Sequence, residues 1–235
     1  MKKYICSIII FIFVFTFSYF YDDIVSFVKE SIASNLTVSY NLEEIPEYTG
    51  QDYVVINNNE PLFEEYDKSK NIFEEYGDLD ILGRCTYAYA NIGKEIMPTS
   101  KRGSIGSVKP SGWHLVKYDN VDGKYLYNRC HLIAYQLSGE NANKKNLITC
   151  TRQMNTKGML KWENKVKEYI DKTNNHVLYR VKPIYYDTNL LASGVTIEAL
   201  SIEDNGKGIK FYVYVYNVQD GINIDYKNGN SYKEK

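Results

Sequence analysis

The sequence predicts an α+β domain with antiparallel strand pairs, and three observations lead there. It contains 23 tyrosines, many in alternating runs that favour sheet. Its C-terminal third holds three strand-like runs, 176–181, 190–200 and 210–218, with Asn205-Gly206 placed as a hairpin turn. A single strongly amphipathic segment, Gly158 to Lys172, carries Met159, Trp162, Val166, Tyr169 and Ile170 on one face.

Taken in order, Lys2 and Lys3 precede an uncharged apolar run from Tyr4 to Tyr21, and Asp22 and Asp23 follow it. That polarity fits an export segment with its N-terminus inside and the rest of the chain outside the cytoplasm. Eighteen residues of helix span about 27 Å, just short of a hydrocarbon core of about 30 Å. Residues 1–21 are thus a signal peptide or a retained membrane anchor. Residues 22–50 read as a short helix or stalk running into a polar linker, and the domain is expected over 51–235. Asp52 to Asn57 looks like a first strand, Phe63 to Tyr76 an acidic helix or loop, and Cys85 to Ile92 a strand or helix. In the run from 210, Phe211, Val213 and Val215 alternate with Tyr212, Tyr214 and Tyr216, which suits a strand covered on both faces.

With 235 residues, 44% hydrophobic and 24% charged, the chain has the composition of a globular protein rather than a disordered one. The net charge of −1 makes no case for a polyanionic partner. Residues 91–170, however, hold 14 Lys plus Arg against 6 Asp plus Glu. Positive charge gathered on one segment attracts phosphate backbones. Lys101, Arg102, Lys144, Lys145, Arg152 and Lys157 are the candidates for a binding groove; Lys161, Lys165 and Lys167 read instead as a solvated helix face. The cysteines Cys6, Cys85, Cys130 and Cys150 lack the paired short spacings of a structural zinc site.

The chemistry-bearing residues lie mid-chain: Asn128-Arg129-Cys130-His131, then Asn146, Asn155 and Glu163. Singly each has a bland reading, as a packed histidine, a cap or a solvated carboxylate. Together, from Tyr127 to Glu163, they resemble the DNA/RNA non-specific endonuclease family of the ββα-metal superfamily, in its streptodornase-like branch. The resemblance covers roughly residues 51–231. Well-known members carry Asp-Arg-Gly-His where this chain has Asn128-Arg129-Cys130-His131, so arginine and histidine are kept while a carboxylate becomes an amide.

This resemblance implies a ββα-metal fold with a mostly antiparallel central sheet flanked by helices. It implies hydrolysis of DNA, with RNA left open, to 5′-phosphate and 3′-hydroxyl ends. His131 is then the general base, Arg129 the phosphate clamp, and Asn146 a residue ordering the His131 strand or the water cluster. One Mg²⁺ (or Mn²⁺) would be bound by Asn155, with Glu163, eight residues or about two helical turns later on the same face, holding its waters. Cys130 and Cys150 flank the catalytic strands and admit two states, a bridge or two buried thiols. His114 and His176 are expected to be structural. The competing class is a surface DNA-capture module without catalysis, which would need the basic patch but not His131, Asn155 and Glu163 together. No protein partner is implied.

Overall fold

The computed structural model describes residues 45–65, 67 and 71–234. The expectations about residues 1–44 lie outside the described residues. One folded unit begins at Pro46. The last residues of the expected linker belong to it, because Tyr48 packs edge-on against Tyr216 at 5.5 Å and the Tyr216 hydroxyl donates to the Pro46 carbonyl at 2.7 Å.

The strands are β1 (Tyr53–Val55), β2 (Phe73–Tyr76), β3 (Ala88–Ile92), β4 (Tyr127–His131), β5 (Leu147–Thr151), β6 (Val177–Ile184), β7 (Gly194–Ser201), β8 (Lys210–Tyr216), β9 (Ile222–Asp225) and β10 (Asn230–Lys233). Among the described residues the α-helices are the single turn α1 (Tyr135–Ser138) and the long α2 (Leu160–Thr173). Six strands form one sheet in the order β1-β8-β7-β6-β3-β2, with every neighbouring pair antiparallel. β4 with β5, and β9 with β10, form separate two-stranded ribbons. The acidic 63–76 stretch, read as helix or loop, ends in strand β2, which pairs with β3 through Phe73↔Asn91. Here tertiary pairing overrides weak local preference. The 190–200 run enters the sheet only at Gly194.

Alternation along the strands decides what covers each face. Val177, Tyr179 and Val181 on β6, Val195, Ile197 and Ala199 on β7, and Phe211, Val213 and Val215 on β8 share one core with Trp162, Val166 and Ile170 of α2. The Trp162 ring lies 4.6 Å from that of Phe211. α2 stops where Asn174 adopts a left-handed conformation and closes the last turn on Ile170. On the opposite sheet face, Phe63 stacks on Tyr89 at 5.8 Å, and the Leu62 amide donates to Glu198, the partner of Arg180 in a largely buried ion pair. Pro183 lies in β6 beyond the reach of β3, where a missing N–H leaves no gap in the ladder.

The β4–β5 ribbon is not hydrogen-bonded into the main sheet, so other groups must hold it there. Asn217, fully buried just after β8, does this with one side chain. Its Oδ1 accepts from the Thr151 amide at 2.8 Å, and its Nδ2 donates to the carbonyls of Thr149 at 3.3 Å and Ala192 at 2.9 Å. Where the chain leaves β5, Gly158 lets the backbone approach β8 closely; a Cβ there would meet Val215 Cγ1 at 2.4 Å.

Replacing Asn217 by Ala strands three buried backbone groups, which costs about 3 kcal/mol. A drop in melting temperature of about 6–12 °C is expected for a domain of this size. An unchanged melting curve would show that the ribbon is held by other contacts.

Candidate active site

β4 ends at His131, and the chain then turns through Leu132 and Ile133 into α1. Asn146, which is fully buried, latches that turn. Its Oδ1 accepts from the Ile133 amide at 2.9 Å, its Nδ2 donates to the Ile133 carbonyl at 3.0 Å, and its own carbonyl accepts from Leu132. Asn146 has no exposed surface with which to touch a substrate. Of the two roles read from the sequence, the ordering of the His131 strand is the one that agrees with its place.

His131 itself is nearly buried at the wall of a cleft of about 730 Å³. Its two ring nitrogens face different partners. Nε2 lies 2.7 Å from the Asn141 carbonyl, which can only accept, so Nε2 carries the proton. Nδ1 lies 3.4 Å from Nη2 of Arg102, which can only donate, so Nδ1 presents its lone pair. Both neighbours select one neutral tautomer. Burial, with a smaller contribution from the Arg102 charge, lowers the imidazole pKa to about 4 against the opposing pull of the Asn141 hydrogen bond. The ring is therefore neutral across the physiological range.

Asn155 follows β5 inside a π turn, Met154–Met159, in which the Leu160 amide bonds to the Asn155 carbonyl five residues back. The turn has a geometric consequence. Eight residues of regular α-helix make about 2.2 turns, which would leave Glu163 about 80° away from Asn155. One extra residue taken up by the π turn removes that offset, and both side chains line the cleft. Burial raises the Glu163 carboxyl to about 8, with Arg102 pulling the other way.

Cys130 and Cys150 are joined as a disulfide, diagonally across the ribbon with Cα atoms 5.9 Å apart. The bridge lies directly behind the site: Cys130 Sγ is 3.2 Å from Asn155 Oδ1. Asn128 shares that face of β4, and its buried Nδ2 has no partner among the described residues. Arg129 also lines the cleft, but its Nε donates to the Val108 carbonyl and its Nη2 to that of Gly106 at 3.0 Å, while the guanidinium lies 3.9 Å over the Trp113 ring. These contacts fasten the 106–113 loop to β4.

Of the six basic groove candidates, Arg102 and Arg152 line the cleft, and Arg152 is paired with Asp122 at 2.9 Å. Lys101, Lys144, Lys145 and Lys157 do not line it. Lys145 is tied to Asp78 at 2.6 Å, on a turn that points elsewhere. Charge counting locates a basic segment but not the direction of each side chain. His114 bonds to the Asn228 carbonyl, and His176 lies between Glu203 and Glu95, so neither joins the site. Sequence reasoning passed over Tyr135 and Gln136, which also line the cleft and were readable only as the turn following His131.

Two pH effects of opposite sign follow. The folded-state pKa of His131 lies below its unfolded value of about 6.5, so stability is lost as pH falls from about 6.5 through about 4. Glu163 is raised above its ordinary value, so its contribution is present below about pH 4.5 and is lost as pH rises through about 8. In urea titrations of the metal-free protein, His131→Asn should flatten the acid limb and Glu163→Gln the alkaline limb. Limbs unmoved by either substitution would refute these assignments.

The fold has relatives among known nucleases. The family model for DNA/RNA non-specific endonucleases matches residues 66–202. The fold superposes on NucA from Streptococcus agalactiae, solved with magnesium bound, with a TM-score of 0.72 and 25% identity, covering 87% of this chain and 97% of that one. It superposes on the Sda1 nuclease with a bound zinc ion with a TM-score of 0.60 and 29% identity, covering 76% and 95% of the two chains. A deoxyribonuclease of Streptococcus dysgalactiae subsp. equisimilis is 36% identical over 110 residues, which is 45% of this chain and 32% of that protein. The chain thus spans about a third of the length of that curated relative. With an antiparallel core sheet, a cleft lined by β4 and α2, and a family match over more than half its length, the chain belongs to the DNA/RNA non-specific endonuclease family.

Proposed function

We propose that the chain is a metal-dependent endonuclease that hydrolyses phosphodiester bonds of DNA without regard to sequence, acting outside the cytoplasm. RNA is a second substrate to be tested on the same footing. The observation that carries this reading is the arrangement of His131: a neutral imidazole whose Nδ1 lone pair faces a cleft shared with Arg102, Asn155 and Glu163. A base near a phosphate must be unprotonated to take a proton from water, and this one is held so by burial.

In the proposed reaction, His131 Nδ1 takes the proton from a water attacking phosphorus, the bond from phosphorus to the 3′ oxygen breaks, and that oxygen takes a proton from solvent, leaving 5′-phosphate and 3′-hydroxyl ends. Arg102 pairs with the non-bridging phosphate oxygens, an arrangement suited to a guanidinium fork. In doing so it moves from Nδ1 and frees that nitrogen for the water. Arg129, with Nε and Nη2 committed to carbonyls, holds the cleft wall and strengthens the local positive field.

The donor set suits a divalent cation. Asn155 offers a neutral amide oxygen at the cleft, and Glu163 a buried carboxyl that a bound cation would draw into its ionised form. Mg²⁺ and Mn²⁺ keep most of their waters and need few protein ligands, so one amide oxygen and one carboxyl suffice. Asn155 would ligate the ion and Glu163 would bind its waters. When bound, such an ion neutralises charge on the phosphate and stabilises the leaving oxygen.

The N-terminal apolar run supports placement outside the cytoplasm, as a secreted protein or one tethered to the outer face of the membrane.

Purified protein should degrade plasmid DNA with Mg²⁺ and stop when a chelator is added. His131→Ala should reduce the rate by at least 10³-fold while oligonucleotide binding stays within a few-fold. Asn155→Ala should weaken the Mg²⁺-dependent rise in melting temperature as well as the rate. Full activity of His131→Ala would exclude it as the base; DNA binding with no cleavage by the wild type would favour the DNA-capture reading.

A further inference from the structure

The cleft extends well past the reacting groups. Its far end is walled by a hairpin-like arm, residues 115–126, in which Lys117 bridges to Tyr125, the Leu126 amide donates to the Val116 carbonyl, and the chain runs from Leu126 into β4. Alternation divides the arm's side chains. Val116, Tyr118 and Leu126 point down into a small separate core that also holds Val121, Tyr127, Leu191 and Ile222. Leu115, Lys117 and Tyr125 therefore point the other way, and Leu115 and Tyr125 line the cleft.

These two large side chains are 75% and 44% exposed, respectively. A single exposed leucine needs no explanation. Here an aliphatic and an aromatic side chain share one wall and are interleaved with cations. Lys117 Nζ sits 4.5 Å over the Tyr125 ring, and Arg152, paired with Asp122, stands on the same cleft. The arm is also firmly mounted. Tyr118 bonds to Ser231, Tyr127 to the Gly229 carbonyl, and Arg152 to Asp122, tying it to the β9–β10 ribbon and to the end of β5. A fixed apolar shelf among cations, continuous with a phosphate-binding cleft, matches the chemistry of unpaired bases. Each base offers a flat face to an aromatic or aliphatic side chain whatever its sequence, while the cations follow the backbone. In an intact duplex those faces are covered by neighbouring base pairs and the shelf has nothing to bind.

We infer that Leu115 and Tyr125 form a base-stacking platform at the far end of the cleft, which favours single-stranded or locally melted nucleic acid over intact duplex. The inference rests on the reading of the cleft as a nucleic-acid site. Tyr125 lies six residues before His131 along one extended segment, about 20 Å away. That distance equals about six stacked nucleotides, so the platform grips the strand at a distance from the bond that is cut.

The test is binding in the His131→Ala background, which leaves oligonucleotides intact. Three probes are compared: a 12-nucleotide oligothymidylate, a 12-nucleotide abasic strand with the same backbone, and a 12-base-pair duplex. The oligothymidylate should bind about ten-fold more tightly than the abasic strand. Adding Leu115→Ala and Tyr125→Ala should bring the oligothymidylate down to the abasic level, with abasic and duplex affinities unchanged within about two-fold. Both side chains are exposed, so their removal leaves the core intact. Equal loss on all three probes, or no loss on the oligothymidylate, would overturn the platform while leaving the cleft a nucleic-acid site. Failure of every probe to bind would overturn both readings.

Discussion

The hydrogen bond from His131 Nε2 to the Asn141 carbonyl constrains everything around it. A carbonyl cannot donate, so the bond fixes the proton on Nε2 and leaves Nδ1 as the free base. Arg102, on the other side of the ring, cannot accept and so supports the same tautomer. Without that pair of neighbours the imidazole could rotate or exchange its proton between nitrogens, and the cleft would lack a directed lone pair. Burial then keeps the ring neutral, because a protonated imidazole there would be cut off from water, and the Arg102 charge adds a smaller push the same way.

The rest of the fold serves to hold β4 where this bond can form. The ribbon carrying His131 pairs only with itself, so its position depends on side chains. Asn146 locks the turn after His131, Asn217 ties β5 to the end of the main sheet, and the Cys130–Cys150 bridge crosses between the two strands. The same ribbon leads into the π turn, so a displacement of β5 would move Asn155 relative to Glu163. One short segment therefore sets the geometry of base and cation ligands together, and the polar groups that fasten it are almost all buried.

Much of this was legible in the residues. The α+β class, the antiparallel C-terminal strands and the long helix follow from alternation and from a 3.6-residue period. His131, Asn155 and Glu163 could be picked out because their spacing was jointly informative. What sequence could not show was orientation. Eight residues looked like two turns, but only the π turn at Met154–Met159 makes that true. Lys144 and Lys145 counted towards the positive charge of the segment, yet they lie outside the cleft, and Asp78 neutralises one of them. Arg129 keeps its expected place but spends two nitrogens on loop carbonyls. Asn217 passed unnoticed in a run of tyrosines and valines, since a buried polar hub is defined by partners distant in sequence. The exposure of Leu115 and Tyr125 is likewise a property of the assembled arm.

The central claim is that His131 is held as one neutral tautomer with Nδ1 facing the cleft. The most direct measurement is the ¹⁵N NMR of its ring nitrogens in protein labelled at histidine, recorded at neutral pH without substrate. The account predicts an unprotonated Nδ1 and a protonated Nε2, with no change down to about pH 5 given a pKa of about 4. A doubly protonated ring at pH 7, or a free Nε2 with the proton on Nδ1, would contradict it.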